Sequence, residues 1–110
     1  MIEKTISEIE TKVRGAESVN AGRKQELLDL LGKLKTEVAA LAQTHGEQAD
    51  RIAGLTRQST QEATSAGQNP ESLQQSVSGL RSSVEGFEQS HPKLVQIVNS
   101  ISNTLSNLGI

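Results

Sequence analysis

The sequence has no cysteine, tryptophan or tyrosine, and it has only one phenylalanine and two prolines among its 110 residues. The absence of cysteine excludes disulfide bonds, thiolate catalysis and cysteine–zinc sites. Because a single aromatic side chain is available, the core has to be built from aliphatic residues. The abundance of Glu, Gln, Ser, Ala and Leu favours helices over strands. We therefore predict one all-α domain that covers residues 1–110.

Long apolar runs and clusters of one charge are also missing. The longest unbroken apolar run, residues 38–42, is far too short to cross a bilayer. Residues 1–10, MIEKTISEIE, lack the apolar core of a signal peptide. The net charge is −2 with both signs interspersed, and no basic stripe with interleaved aromatic residues is present, which argues against nucleic-acid binding. These features predict a cytoplasmic protein without membrane or nucleic-acid partners.

The last two dozen residues carry the clearest helix signals. Pro92 suits the first turn of a helix and disfavours helical dihedrals at the residue before it. An apolar stripe at helical spacing follows, formed by Leu94, Val98, Ile101, Leu105 and Leu108. Gly109 and Ile110 then fit a Schellman cap, with Ile110 closing onto Leu105.

This C-terminal segment, FEQSHPKL followed by an apolar helix ending in LSNLGI, resembles the C-terminus of a family of short uncharacterised bacterial proteins. AESVN at residues 16–20, ahead of a leucine-rich helix, resembles the first helix junction of that family. The resemblance covers roughly residues 1–43 and 73–110, and residues 44–72 look like an insertion. It implies a small helical protein and no reaction.

Two further apolar series precede the last helix. Residues 2–15 carry a short stripe, which predicts an N-terminal helix. A heptad seam then runs without a skip through Leu27, Leu31, Leu34, Val38, Leu41, His45, Gln48, Ile52 and Leu55. The preserved phase predicts one helix over residues 21–66, about 70 Å long. A break near residues 44–46 is the alternative, because each internal glycine costs about 1 kcal/mol.

GQNPES at residues 67–72 is the clearest loop, and Asn69 and Pro70 suit the start of the next helix. The second seam follows it through Leu73, Val77, Leu80, Val84, Phe87, His91 and Leu94. This series predicts a helix over residues 71–108 that is kinked at Pro92 or broken there into two nearly coaxial pieces.

Residues equidistant from the loop belong to matching seam positions, so Leu34 pairs with Ile101 and Leu55 with Leu80. This register predicts an elongated antiparallel coiled coil. Helix 2–15 would complete a three-helix bundle, residues 1–43 plus 92–110, at the end that holds the termini. Residues 44–91 would form a bare hairpin tip.

The same register sets His45 opposite His91, the only two histidines, in a layer beside Phe87. Two imidazoles can share a metal ion and change charge between about pH 5 and 8. Without a third convergent ligand, a polar layer that fixes the helix register is the favoured interpretation. The predicted cofactor set is therefore empty, with His45 and His91 as the metal candidates.

The bare tip supplies the functional hypothesis. Two helices with one apolar seam are marginal in water, and glycines one heptad apart would let another helix approach. The candidate interface residues are Leu55, Leu73, Val77, Gly79 and Gly86. We predict a non-enzymatic module for self-association, as a homo-oligomer such as a dimer, or for binding a protein partner. A metal- or pH-responsive module is the alternative. No catalytic residue or small-molecule substrate is evident from the sequence.

Overall fold

A computed structural model describes residues 2–65, 67 and 69–108, and these residues form a bundle of helices without a β-strand. The helices, in chain order, are α1 (Ile2–Arg14), α2 (Ala21–Ala42), α3 (Gly46–Thr64), α4 (Pro70–Ser82) and α5 (Pro92–Leu108). The prediction of an all-α fold is confirmed.

Two asparagines and a proline fix the helix starts as the sequence indicates. The side chain of Asn20 accepts a hydrogen bond from a first-turn backbone N–H of α2. Asn69 accepts two such bonds at the start of α4, and Pro70 occupies the first helical position. The predicted cap at Gly109 and Ile110 lies outside the described residues.

The predicted single helix over residues 21–66 is wrong, because α2 ends at Ala42 and α3 begins at Gly46. The alternative, a break near residues 44–46, is confirmed. His45 between them has φ −135° and ψ 63°, far from helical values. The molecule measures 37 × 24 × 20 Å, so the elongated hairpin of about 70 Å is also wrong. Folding back is favourable because α3 then buries a second face, made of the small side chains of Ala49, Ala53 and Ala63.

The second predicted helix, residues 71–108, is likewise two helices, α4 and α5, separated by turns over residues 83–91. Gly86 has φ +95°, a left-handed conformation that favours glycine. The guanidinium of Arg81 donates a hydrogen bond to Oδ1 of Asn103 at 2.6 Å, so α5 returns beside the end of α4. The pieces are therefore not coaxial.

The helix pairing expected from the register is nevertheless present, because α2 packs antiparallel to α5 and α3 to α4. In the first pair, Thr104 donates a hydrogen bond to Glu26 at 3.0 Å. In the second pair, a Cβ on Gly79 would lie 3.6 Å from Cδ2 of Leu55, one residue from the predicted partner Leu80. The molecule is thus an antiparallel hairpin folded once across its middle. We call the level of the two breaks, residues 43–45 and 83–91, the fold line.

Helix α1 packs against α3 as well as against α2. Lys35 of α2 forms a 2.8 Å ion pair with Glu10, and Ser18 after α1 donates a hydrogen bond to the Thr64 carbonyl at 3.4 Å. The tip region 44–91 is therefore not separate from the end that holds α1. The prediction that no third helix covers this region is wrong, because α1 covers α3.

The core is aliphatic, as the composition requires. It consists of Ile, Leu, Val and Ala side chains from all five helices, together with Val19 and Val84 from the links. Phe87, the single aromatic residue apart from the histidines, is only half-buried and packs at the edge of this core.

Candidate functional site: the ring cluster at the fold line

Three rings meet at the fold line, and we call them the ring cluster: His45, Phe87 and His91. The ring centroids lie 5.5 Å apart for His45 and Phe87, 5.6 Å for Phe87 and His91, and 6.2 Å for the two histidines. All three pairs are nearly perpendicular, which is a favourable edge-to-face arrangement for aromatic rings. The predicted placement of His45 opposite His91 is therefore realised in the fold.

The two chain breaks bring these rings together. On one side, the backbone N–H of His45 still bonds the Leu41 carbonyl at 2.8 Å, which holds His45 at the end of α2. On the other side, the N–H of His91 bonds the Phe87 carbonyl at 2.8 Å. That bond closes one turn, so the Phe87 and His91 side chains project in similar directions. Pro92 then begins α5 immediately after His91.

A hydroxyl group from the preceding residue anchors each imidazole. Nδ1 of His45 lies 2.7 Å from the Thr44 hydroxyl, and Nδ1 of His91 lies 2.9 Å from the Ser90 hydroxyl. The Thr44 hydroxyl also points at the Leu41 carbonyl at 3.4 Å. Because a hydroxyl has one proton, both contacts are satisfied only if Nδ1 of His45 carries the proton and donates it to Thr44. In the neutral ring the Nε2 lone pair is then free to accept a proton or a metal.

The ring cluster is open to solvent. His45 is exposed, and Phe87 and His91 are half-buried. Within the described residues, no group of three or more His, Asp or Glu side chains could hold a metal ion. The cluster therefore presents two imidazoles and one aromatic face at the surface.

The predicted interface residues have other tasks in the folded chain. Leu73 and Val77 are fully buried in the core, so they form no part of the exposed surface of the single folded chain. Gly79 faces Leu55 inside the α3–α4 pair, and Leu55 is half-buried there. Gly86 forms the left-handed turn between α4 and α5. These residues are used within the single chain because the breaks at residues 43–45 and 83–91 fold the predicted tip into the bundle.

Sequence reasoning missed the two hydroxyl anchors, Thr44 and Ser90. The signal was present, because each of the two histidines follows a hydroxyl residue directly. It could not be interpreted before the fold placed both imidazoles at the same level.

Two open grooves flank the helices. One, of about 440 Å³, lies between α2 and α5 and is lined by residues that include Lys33, Glu37, Lys93 and Ile97. The other, of about 410 Å³, lies between α1 and α3. Both carry charges of both signs, as expected for solvated surfaces between packed helices.

None of the described helices has the length and apolar character needed to span a membrane. The sequence model of a family described as a domain of unknown function (DUF4404) matches residues 25–110. The chain belongs to this family. The DUF4404 match begins inside α2 and includes residues 44–72, the segment interpreted above as an insertion, and it leaves out α1. No curated protein and no solved structure gives a significant match to this chain.

Proposed function

We propose that this DUF4404 chain is a non-enzymatic helical module that associates with other chains, in the first place with a second copy of itself, through the ring cluster. We also propose that it acts in the cytoplasm of a bacterial cell, as its composition and its family resemblance suggest.

The position of Phe87 carries this proposal. The core is filled with aliphatic side chains, and yet the single phenylalanine of the chain sits half-buried at the surface between two histidines. Aromatic side chains are enriched in the energetic centres of protein interfaces, because they bury a large rigid surface at a small entropic cost. A ring cluster at the surface therefore favours association over a purely structural role.

Sedimentation of samples that are unfolded and then refolded at each of a series of concentrations tests the proposal. We expect the average mass of the wild type to rise with concentration, and Phe87→Ala to weaken association by at least about 10-fold, as for an interface hot spot. Ile97→Ala is the matched control, because Ile97 is also half-buried and apolar but lines the α2–α5 groove. A wild type that stays monomeric, or equal weakening by both substitutions, would overturn the proposal.

A metal- or proton-responsive module is the second candidate, and the anchored imidazoles favour it. Each Nδ1 has a hydroxyl as its hydrogen-bond partner, and a hydrogen bond from the second ring nitrogen is how proteins usually orient a metal-binding histidine. Protonation of both would place two positive charges on rings whose centroids are 6.2 Å apart.

A zinc titration followed by imidazole NMR distinguishes this candidate. We expect the ring signals of His45 and His91 to shift together on addition of zinc. In His45→Gln, the remaining His91 signal should shift only at much higher zinc concentration, because one imidazole alone is a poor ligand. Unchanged signals in the wild type would exclude the metal-responsive candidate.

A further inference from the structure

We propose that two copies of this chain associate by exchanging their α3–α4 hairpins, residues 46–82, across the fold line. In each copy, the link between α2 and α3 would straighten into one continuous helix. This inference rests on the proposed self-association and specifies the partner, a second copy, and the geometry of the complex.

The short link between α2 and α3 has helical dihedrals at Gln43 and departs from them at His45. Gln43 has φ −66° and ψ −28°, and the Ala49 N–H bonds the His45 carbonyl at 3.0 Å. The departure at His45 interrupts a heptad seam that resumes in the same phase in α3. A continuous helix would add three backbone bonds that are not present among the described residues, from the N–H groups of residues 46–48 to the carbonyls of residues 42–44.

The second link makes the exchange possible without strain. Residues 83–91 form a series of turns around Gly86, and nine extended residues can span about 30 Å. The ring contacts show that the first link lies beside the second half of the second link, at Phe87 and His91. The α3–α4 hairpin is therefore joined to the rest of the chain by two neighbouring links, and both links can rearrange without separating α3 from α4.

The contacts between the α3–α4 hairpin and the rest of the chain can form equally well between two copies. Helix α3 packs against α1, α2 and α5, and α4 packs against α5. Two hydrogen bonds also cross, from Ser18 to the Thr64 carbonyl and from Arg81 to Asn103. Exchange replaces each of these contacts by the same contact with the partner copy. The free energies of the single chain and the exchanged dimer therefore differ only through the links and through the translational and rotational entropy lost on association.

The exchanged dimer has a distinctive shape. A continuous helix over residues 21–64 would be about 66 Å long, whereas the folded chain extends 37 Å. The two straightened links would cross near the two-fold axis. His45, Phe87 and His91 all belong to these two links, so the exchange would place Phe87 near the axis, in the interface position proposed above.

Cross-linking in this cysteine-free chain tests the exchange. Arg81→Cys with Asn103→Cys places one thiol on α4, inside the exchanged hairpin, and the other on α5, outside it. Glu62→Cys with Ser76→Cys is the matched control pair, because both positions lie inside the exchanged hairpin and their side chains are 2.7 Å apart. Monomer and dimer fractions are separated, treated with a short bismaleimide and run on a denaturing gel.

We expect the dimer fraction to be linked between chains at positions 81 and 103, and within one chain at positions 62 and 76. A dimer linked within one chain at both pairs would overturn the exchange and leave self-association standing. The absence of a dimer fraction would overturn both proposals.

Two substitutions at Gly46 provide a second, independent test. Proline fits the folded chain, because Gly46 is the first residue of α3 and its N–H donates no backbone bond among the described residues. In a continuous helix the same proline would clash and remove a hydrogen bond. We expect Gly46→Pro to weaken dimerisation by about 100-fold or more, and Gly46→Ala to strengthen it by up to about 5-fold. Gly46→Pro that folds and dimerises like the wild type would overturn the exchange.

Discussion

Replacing Ala53 with glutamate is expected to destabilise the fold by about 1–3 kcal/mol, which is a large share of the stability of a domain of this size. Ala53 is 2% exposed and lies on α3 at the floor of the α1–α3 groove. The longer side chain overpacks the contact between α1 and α3, and its carboxylate can reach only the open groove that Lys4 and Arg57 also line. Urea unfolding followed by circular dichroism measures the loss.

The neighbouring residue provides the control for this experiment. A Cβ on Gly54 would meet no atom within 4 Å, so Gly54→Glu is expected to change stability by less than about 1 kcal/mol, in the stabilising direction. In a straight hairpin, position 53 would be off the apolar seam and in solvent, and the two substitutions would behave alike. Equal stability of the two variants would therefore contradict the packing of α1 on α3.

Replacing Leu73 with alanine is expected to cost about 2–5 kcal/mol of unfolding free energy, because the side chain is fully buried and its removal leaves a cavity. Leu55→Ala is the matched control, since Leu55 is half-buried against Gly79 in the same helix pair, and its loss should be less than half as large. Both variants are measured by urea unfolding and by sedimentation.

The Leu73 experiment also decides between two roles for this residue. If Leu73 were an interface residue of a bare tip, its truncation would abolish association and leave the stability of the single chain unchanged. The fold predicts the reverse at concentrations where the variant remains folded: a large loss of stability and an intact association.

The sequence was informative about helix starts, helix partners and the histidine pair. Asn20, Asn69 and Pro70 act locally, so their effect on the backbone can be predicted from neighbouring residues alone. The antiparallel register followed from two apolar series on either side of one loop, and it placed His45 opposite His91 correctly.

The fold line itself could not be predicted from periodicity. A heptad seam that stops and resumes in phase looks the same as an unbroken one, and residues 43–45 contain neither proline nor glycine. The second buried face of α3 is made of small side chains, including Thr56, Ser59 and Thr60, which contribute little to a hydropathy pattern. This face can be recognised as buried only from the structure, in which α1 and α5 pack against α3.

The attachment of α3 to three other helices has a consequence for how preparations of this protein should behave. A hairpin held on α1, α2 and α5 can leave its own chain only by giving up most of the core at once, so interconversion of single and paired chains would be as slow as global unfolding. The ratio of single to paired chains would then be set by the concentration at which the chains first fold, and it would persist long after dilution. Two samples of identical composition would differ according to their history.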